Sequence, residues 1–278
     1  MPGDALGQDR AELGRRIDTT KAHPARVYDV LLGGKDNYPV DRAAAAAALA
    51  VNPRGYLDVR HNRDFLRRAI TTLTREAGIR QFLDIGTGLP TADNTHEVAQ
   101  RIAPESRVVY VDNDPMVMVH ARALLTSTPE GRTTYIEADL RSPEQILSNP
   151  ELRATLDLGE PVALMLVAVL HFIEGYGAGA PIVRTLMDAL PSGSFLVVTN
   201  ATKDPLPAKM AADYDAALAA GITNIWPRDR AEFTDLFAGL ELVEPGVTPV
   251  SEWRAQDEPE PRPNPAHVSM YAGVGRKP

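Results

Sequence analysis

Two periods of hydrophobicity divide the chain. Through residues 23–78 the apolar positions recur at three- and four-residue intervals, the spacing of a helix with one buried face. Val27, Val30 and Leu31 share a stripe over 25–32, and Gly33-Gly34 stops that helix. Residues 41–50 contain six consecutive alanines, the strongest helix former, and Asn52-Pro53 ends the run. A third helix over 57–77 sets Phe65, Ala69, Ile70 and Leu73 on one face before Gly78. The first 80 residues hold no strand candidate, and the first twenty are polar and unpatterned, which predicts disorder.

From residue 81 short apolar runs alternate with helical stretches. Strands are predicted at 81–85, 107–111, 134–138, 161–169 and 194–199, with helices reaching to about 102 and over 115–125 and 181–190. Helices at 208–220 and 228–238 precede strands near 240–244 and 268–274. Residues 254–266, with four prolines and five charges, suit a solvated loop. Strands alternating with helices across short turns give a mostly parallel sheet covered on both faces. The reading is α/β: a Rossmann-like domain over 81–278, preceded by a helical element over 1–80 too small to hold a core alone.

Composition narrows this picture. A chain of 278 residues buries a core without cross-links, and the absence of cysteine excludes a disulfide scaffold, a thiolate zinc site and a cysteine nucleophile. With 29 basic against 37 acidic residues the net charge is -8, so no nucleic-acid partner is expected. The opening MPGDALGQDR lacks the apolar core of a signal peptide, and the longest apolar run, nine residues at 162–170, is too short to cross a bilayer. A soluble cytoplasmic protein with no membrane partner is expected. Asp93 and His96 share a helical face, but no further ligands converge on them, so no metal is expected.

The candidate chemistry begins where the first strand runs into Asp84-Ile85-Gly86-Thr87-Gly88-Leu89-Pro90. Glycines at a strand-to-helix turn let the backbone approach a ligand at the carboxyl end of the sheet, although a tight turn holding nothing has the same form. A dinucleotide calls for G-x-G-x-x-G, and here the third glycine is replaced by Thr91. Asp112 ends the second strand, where a carboxylate can grip two ribose hydroxyls of either NAD or S-adenosylmethionine, and Asp139 ends the third. Three acids at successive strand ends suit a ligand carrying a sulfonium and an ammonium better than a dianionic pyrophosphate. A nicotinamide-dependent oxidoreductase is further disfavoured by the missing Tyr-x-x-x-Lys pair.

These residues resemble class I S-adenosylmethionine-dependent methyltransferases over about 81–278: D-x-G-x-G at Asp84 to Gly88, acids at Asp112 and Asp139, and Leu190-Pro191-Ser192-Gly193 before strand five. A narrower resemblance spans nearly the whole chain. The string Ala25-Arg26-Val27-Tyr28-Asp29-Val30-Leu31-Leu32-Gly33-Gly34-Lys35-Asp36-Asn37-Tyr38-Pro39, with Phe82 to Thr91, is similar to the actinobacterial S-adenosyl methyltransferase family, DUF574. The resemblance implies a seven-stranded sheet with its last strand antiparallel, and S-adenosylmethionine as cofactor. It implies that Gly86 and Gly88 line the methionine and ribose part and that Asp84 lies on the ammonium side. Asp112, with its neighbour Asn113, would hold the ribose, and Asp139 with the Leu140 backbone would read the adenine edge.

His171 follows strand four, where an acceptor would meet the methyl group, in a string that resembles the L-H-D-W stretch of small-molecule O-methyltransferases at two positions. It is the candidate general base; a buried histidine hydrogen-bonded to backbone is the alternative. Arg26, Tyr28, Lys35, Asn37 and Tyr38 crowd cations, an amide and aromatic rings into thirteen residues beside the mouth of the sheet, and are expected to form a lid that contacts the cofactor. Trp226 and Trp253 are read as core or edge residues. The function expected is methyl transfer to an oxygen or nitrogen of a small molecule, the alternative being a regulatory protein that binds the cofactor without turnover.

Overall fold

The computed structural model describes residues 17–124 and 126–278. Most of the terminal stretch expected to be disordered, and residue 125, lie outside the described residues. Among the described residues three helices come first: α1 (Pro24–Leu32), α2 (Pro39–Val51) and α3 (Gly55–Arg75). Then β1 (Gln81–Ile85), α4 (Thr95–Ile102), β2 (Arg107–Asp112), α5 (Pro115–Leu124) and β3 (Arg132–Glu137) alternate, as the sequence predicts. Next come α6 (Pro143–Ser148), α7 (Pro150–Thr155), β4 (Ala163–Val167), α8 (Gly179–Asp188), β5 (Phe195–Ala201), α9 (Ala208–Ala219) and α10 (Arg230–Asp235). Three antiparallel strands close the chain: β6 (Glu241–Leu242), β7 (Thr248–Pro249) and β8 (Met270–Arg276).

The pattern did not give α6, α7 or β7. Each of the two helices has six residues and one fully buried apolar side chain, Ile146 or Leu152, too few to establish a period. They form because proline stands at the first turn of each and the Asn149 side chain accepts from the Glu151 N–H to cap the second. β7 is two residues long and adds an eighth strand beside β8 to the seven expected.

The sheet runs β3-β2-β1-β4-β5-β8-β6, parallel through β5 and antiparallel at β8. Strand order reverses between β1 and β4, so their following loops diverge in opposite directions and leave a crevice at the carboxyl edge. Successive residues point to opposite faces, and both faces are buried. Leu83, Val109, Leu164 and Leu196 pack with Ile146, Leu186 and Phe233 on one side. Phe82, Val108, Met165 and Val197 pack on the other with Phe65, Ala69 and Ile70 of α3. There Phe65 meets Trp253 edge-on with ring centres 5.4 Å apart, and Trp253 is fully buried. The boundary drawn at residue 80 falls just after α3, whose apolar face belongs to the sheet's core. No helix among the described residues is long and apolar enough to cross a membrane.

α1 has a smaller apolar anchorage, Ala25 packed with Tyr38 against Leu89, Met116 and Val117, and is tied down mainly by polar groups. His23 caps it, its Nδ1 accepting from the Ala25 N–H at 3.3 Å. The fully buried Asp41 accepts from the backbone N–H groups of both His23 (3.0 Å) and Tyr38 (2.9 Å), which joins the starts of α1 and α2. Arg26, 3% exposed, lies with Nε 3.4 Å from Asp114 just beyond β2 and 3.8 Å from Asp41. It also donates to the carbonyls of Asp18 and Lys21 and sits 5.5 Å over the Tyr38 ring. Removing this cation leaves the buried Asp41 carboxylate without its arginine and leaves Asp114 only the His23 ring, whose Nδ1 lies 3.1 Å from it. Arg26→Met is therefore expected to destabilise the protein by about 3–5 kcal/mol, whereas Lys35→Met, at an exposed position, should stay within about 0.5 kcal/mol. Urea unfolding reads both, and equal midpoints would mean that α1 is not held electrostatically.

Candidate active site

A cavity of about 400 Å³ occupies the crevice between β1 and β4. Asp84 to Gly88 form its floor, Asp112, Asn113 and residues 138–141 one wall, and residues 167–169 the other. α1 and α3 cover it with His23, Tyr28, Asp29, Asn62 and Arg63. The structure thus brings together Tyr28, Asp84, Gly86, Gly88, Asp112, Asn113, Asp139 and Leu140 from the residues singled out in the sequence. It does not place Arg26, Lys35, Asn37, Tyr38 or His171 on this lining.

The two glycines of the turn are required for different reasons. Gly86 has φ +75°, and a Cβ there would lie 2.3 Å from the Val169 side chain. Gly88 has φ +68° and faces open space, leaving its backbone accessible. Its N–H donates to Asp112 Oδ2 at 2.8 Å, while Asp112 Oδ1 accepts from the Asp114 N–H at 2.9 Å. Asp112 therefore fixes the loop before any ligand arrives, and burial raises its carboxyl above the ordinary carboxylate range.

The three strand-end acids are not equivalent. Asp84 is buried, accepts from Thr95 Oγ1 at 2.5 Å, and is pushed up to about 6 by burial, with the Arg63 charge opposing. Asp139 lies at the rim, clasped by Arg141 through Nε (2.8 Å) and Nη2 (2.5 Å) and by Asn113 Nδ2 (3.1 Å). The Arg141 hydrogen bonds pull it down to about 2. The crowded negative charge expected at the strand ends thus resolves into two buried carboxylates and one neutralised rim pair.

The string from Arg26 to Tyr38 needs correction in its assigned contacts. Asp29 Oδ2 accepts from the Asp36 N–H (3.0 Å) and Asn37 Nδ2 (2.9 Å), and a Cβ on Gly34 would collide with the Asp29 carboxylate at 1.9 Å. The Gly-Gly-Lys-Asp-Asn run is thus a turn wrapped around Asp29. Asn37 is consumed in it, Lys35 points to solvent, and Arg26 and Tyr38 serve the attachment of α1. Tyr28 alone of the five reaches the cavity. Its hydroxyl donates to the Val59 carbonyl (3.0 Å) and accepts from Asn62 Nδ2 (2.8 Å). Asn62 Oδ1 accepts from Thr199 Oγ1 (2.7 Å), which accepts from the Ala168 N–H (2.8 Å). Ala168 is held at φ +56°, a strained value for a residue with a Cβ, and it stands on the cavity wall after β4.

His171 lies in the short 3₁₀ turn after β4, 5% exposed, with Nδ1 accepting from the Ala201 N–H at 3.3 Å. Burial, reinforced by the Arg228 charge, pushes it down to about 3. A ring so reluctant to hold a proton is a weak base, and its one described bond fixes the end of β5. The buried, backbone-bonded alternative suits this geometry better than the general base. His171 faces a second cavity instead. Among the described residues, no group of three or more His, Asp or Glu is placed to hold a metal ion.

Sequence reasoning passed over Asn62, Arg63, Thr95 and Arg141. Arg63 donates to the carbonyls of Ala92 and Asp93 and stands on the cavity wall. In the run Arg60-His61-Asn62-Arg63, followed by Arg67 and Arg68, nothing in the spacing separates it from arginines that face elsewhere.

A family model described as S-adenosyl methyltransferase matches residues 10–278. A DUF574 family protein of known structure from Streptomyces avermitilis MA-4680 is 48% identical, with a TM-score of 0.88 over 94% of this chain and 99% of its own. A candidate methyltransferase from Thermobifida fusca YX is 42% identical, with a TM-score of 0.84 over 94% of this chain and 96% of its own. No curated protein matches the chain. The chain therefore belongs to the S-adenosyl methyltransferase family, whose cofactor is S-adenosylmethionine.

Proposed function

We propose that this cavity holds the cofactor and that the enzyme directs its methyl group to an oxygen or nitrogen of a small molecule. The observation that carries the proposal is the pairing of an open left-handed glycine, Gly88, with buried Asp84 and Asp112, neither of which has a lysine or arginine ion-pair partner among the described residues. Such acids are satisfied by ligand groups that are cationic or rich in hydroxyl donors. The volume lies within the usual range for cofactor pockets, about 300–1,000 Å³.

Asp112 keeps lone pairs free for the ribose hydroxyls, with Asn113 beside it. Asp84, oriented by Thr95, takes the ammonium, and Arg63 is the cation positioned for the carboxylate of the methionine part. Gly86 and Gly88 give the close backbone approach, and the Leu140 backbone with Asp139 borders the adenine. Bound there, S-adenosylmethionine supplies a methyl carbon already activated by its sulfonium. The protein has to align the acceptor and exclude water, so most of its contribution is positional. α1 does the excluding: His23, Tyr28 and Asp29 stand over the cavity while the Arg26 ion pairs hold the helix to the sheet.

Three outcomes test this. Replacing Asp112 by Ala removes the ribose bonds together with the Gly88 clamp, and should weaken cofactor binding by about 2–4 kcal/mol in calorimetry. Unchanged affinity would remove Asp112 from the site.

The second is a pH dependence. Asp84 titrates near about 6 in the native protein, so cofactor affinity should fall as the pH drops through that value and the carboxylate loses its charge, and Asp84→Asn should abolish the fall. The stability effect has the opposite sense. The native carboxyl binds its proton more tightly than the unfolded one, so the contribution of Asp84 is present below about 3.8 and is lost as pH rises through about 6. Asp84→Asn should therefore gain stability relative to the parent between pH 4 and 7 in thermal melts (about 3 units). Parallel curves for the two proteins would contradict the assignment.

Hydrogen exchange supplies the third. Amides of α1 should gain protection when S-adenosylhomocysteine is added, because that helix covers the cavity. Protection confined to residues after 81 would make α1 scaffold and not lid.

A further inference from the structure

Behind the cofactor cavity lies a second of about 410 Å³, and the two share His23, Pro24, Tyr28, Ala168, Phe172 and Asn224. Its remaining wall is mostly apolar, with Val27, Leu31, Leu49, Leu206, Ile222 and Met270 contributing. Among the described residues no lysine or arginine lines it, and Asp58 of α3 is the sole carboxylate on its wall.

Asp58 is held rigidly. Oδ1 accepts from the Ser269 N–H at 2.7 Å, and Oδ2 accepts from Asn52 Nδ2 at 3.1 Å. Each oxygen keeps a further lone pair. The two tyrosine hydroxyls of this wall are engaged elsewhere, Tyr28 donating to the Val59 carbonyl and Tyr214 to the Ile225 carbonyl. Burial pushes Asp58 up to about 7, and the favourable charge nearby is that of His61 on the same helix. A fixed carboxylate in an apolar chamber, with no cation supplied by the wall, is completed by a ligand that brings a cation. An anionic ligand would meet uncompensated repulsion.

We propose that the second cavity seats the methyl acceptor and that Asp58 selects an apolar molecule bearing an amine, pairing with its ammonium while the accepting atom reaches the junction between the cavities. Asp58 is one helical turn from Asn62, which lines the cofactor cavity, so a molecule of two fused rings spans from the carboxylate to the junction. The inference rests on the methyltransferase reading of the first cavity, and its test separates the two.

Calorimetry with S-adenosylhomocysteine comes first and reports on the first cavity alone. The intact protein, with and without S-adenosylhomocysteine, is then titrated with three probes of one shape: 2-naphthylmethylamine, 2-naphthylmethanol and 2-naphthoate. The amine should bind at least tenfold more tightly than the alcohol, and the carboxylate should not bind at millimolar concentration. Asp58→Asn should bring the amine down to the alcohol's affinity while leaving the affinity for S-adenosylhomocysteine unchanged. The ranking in the unmodified protein stands even if the variant fails to fold. An amine that binds no better than the alcohol, binds equally to Asp58→Asn, or does not bind overturns the proposal. Failure of S-adenosylhomocysteine to bind overturns the reading of the first cavity instead, and the probe ranking on the free protein then judges Asp58 on its own.

Discussion

Parallel strands deliver the loops that follow them to one edge, so a site built there is open on the side away from the sheet. This chain meets that constraint with α1, and α1 has too little apolar surface to stay in place unaided. It is held by Arg26 between Asp41 and Asp114, and by the hydrogen-bonded chain that runs from Tyr28 through Asn62 and Thr199 to the strained Ala168. The second chain matters most for function, because it ties a residue over the cavity to the loop after β4 that forms its wall. The chain passes through four buried or partly buried residues, so each of its polar groups is satisfied by the next. The sheet supplies the acids and the glycine turn, and this network decides where their cover sits.

The electrostatics follow from the same arrangement. Strand ends carry Asp84 and Asp112 into a space that α1 and α3 shield from water, which raises both carboxyls and leaves them in need of donors. Asp139, outside that shelter, is satisfied by Arg141 and Asn113. The cover thus turns three similar aspartates into a graded set, two buried without a cationic partner among the described residues and one closed at the rim by Arg141. Gly86 after β1 lies against the Val169 side chain, next to the strained Ala168 after β4, so the floor of the cavity has little freedom to adjust.

Much of this was legible in the sequence. The alternation after residue 81 gave the sheet, because buried strands and amphipathic helices leave strong periodic marks. The acids at strand ends and the glycines after the first strand gave the floor and one wall of the cavity. The cover was not legible in the same way. Arg26, Asn37 and Tyr38 look like ligand contacts in the sequence because polar and aromatic residues are crowded there, but the crowding serves a turn around Asp29 and an ion-pair anchor. His171 stands at the expected place after β4, yet its environment, set by Ala201 and Arg228, comes from residues about thirty and more than fifty positions away (roughly, as tertiary contacts do). Arg63 was hidden for a related reason: helical phase alone does not tell which arginine of a basic run faces a cavity formed by other elements.

The central claim is that the crevice between β1 and β4, covered by α1, is where the cofactor binds. A crystal structure of the protein grown with S-adenosylhomocysteine tests it most directly. The account predicts the adenosyl group against Gly86 to Gly88, with both ribose hydroxyls within hydrogen-bond distance of the Asp112 carboxylate and α1 ordered above it. An adenosyl group seated elsewhere, or a ribose turned away from Asp112 with α1 displaced, would contradict it.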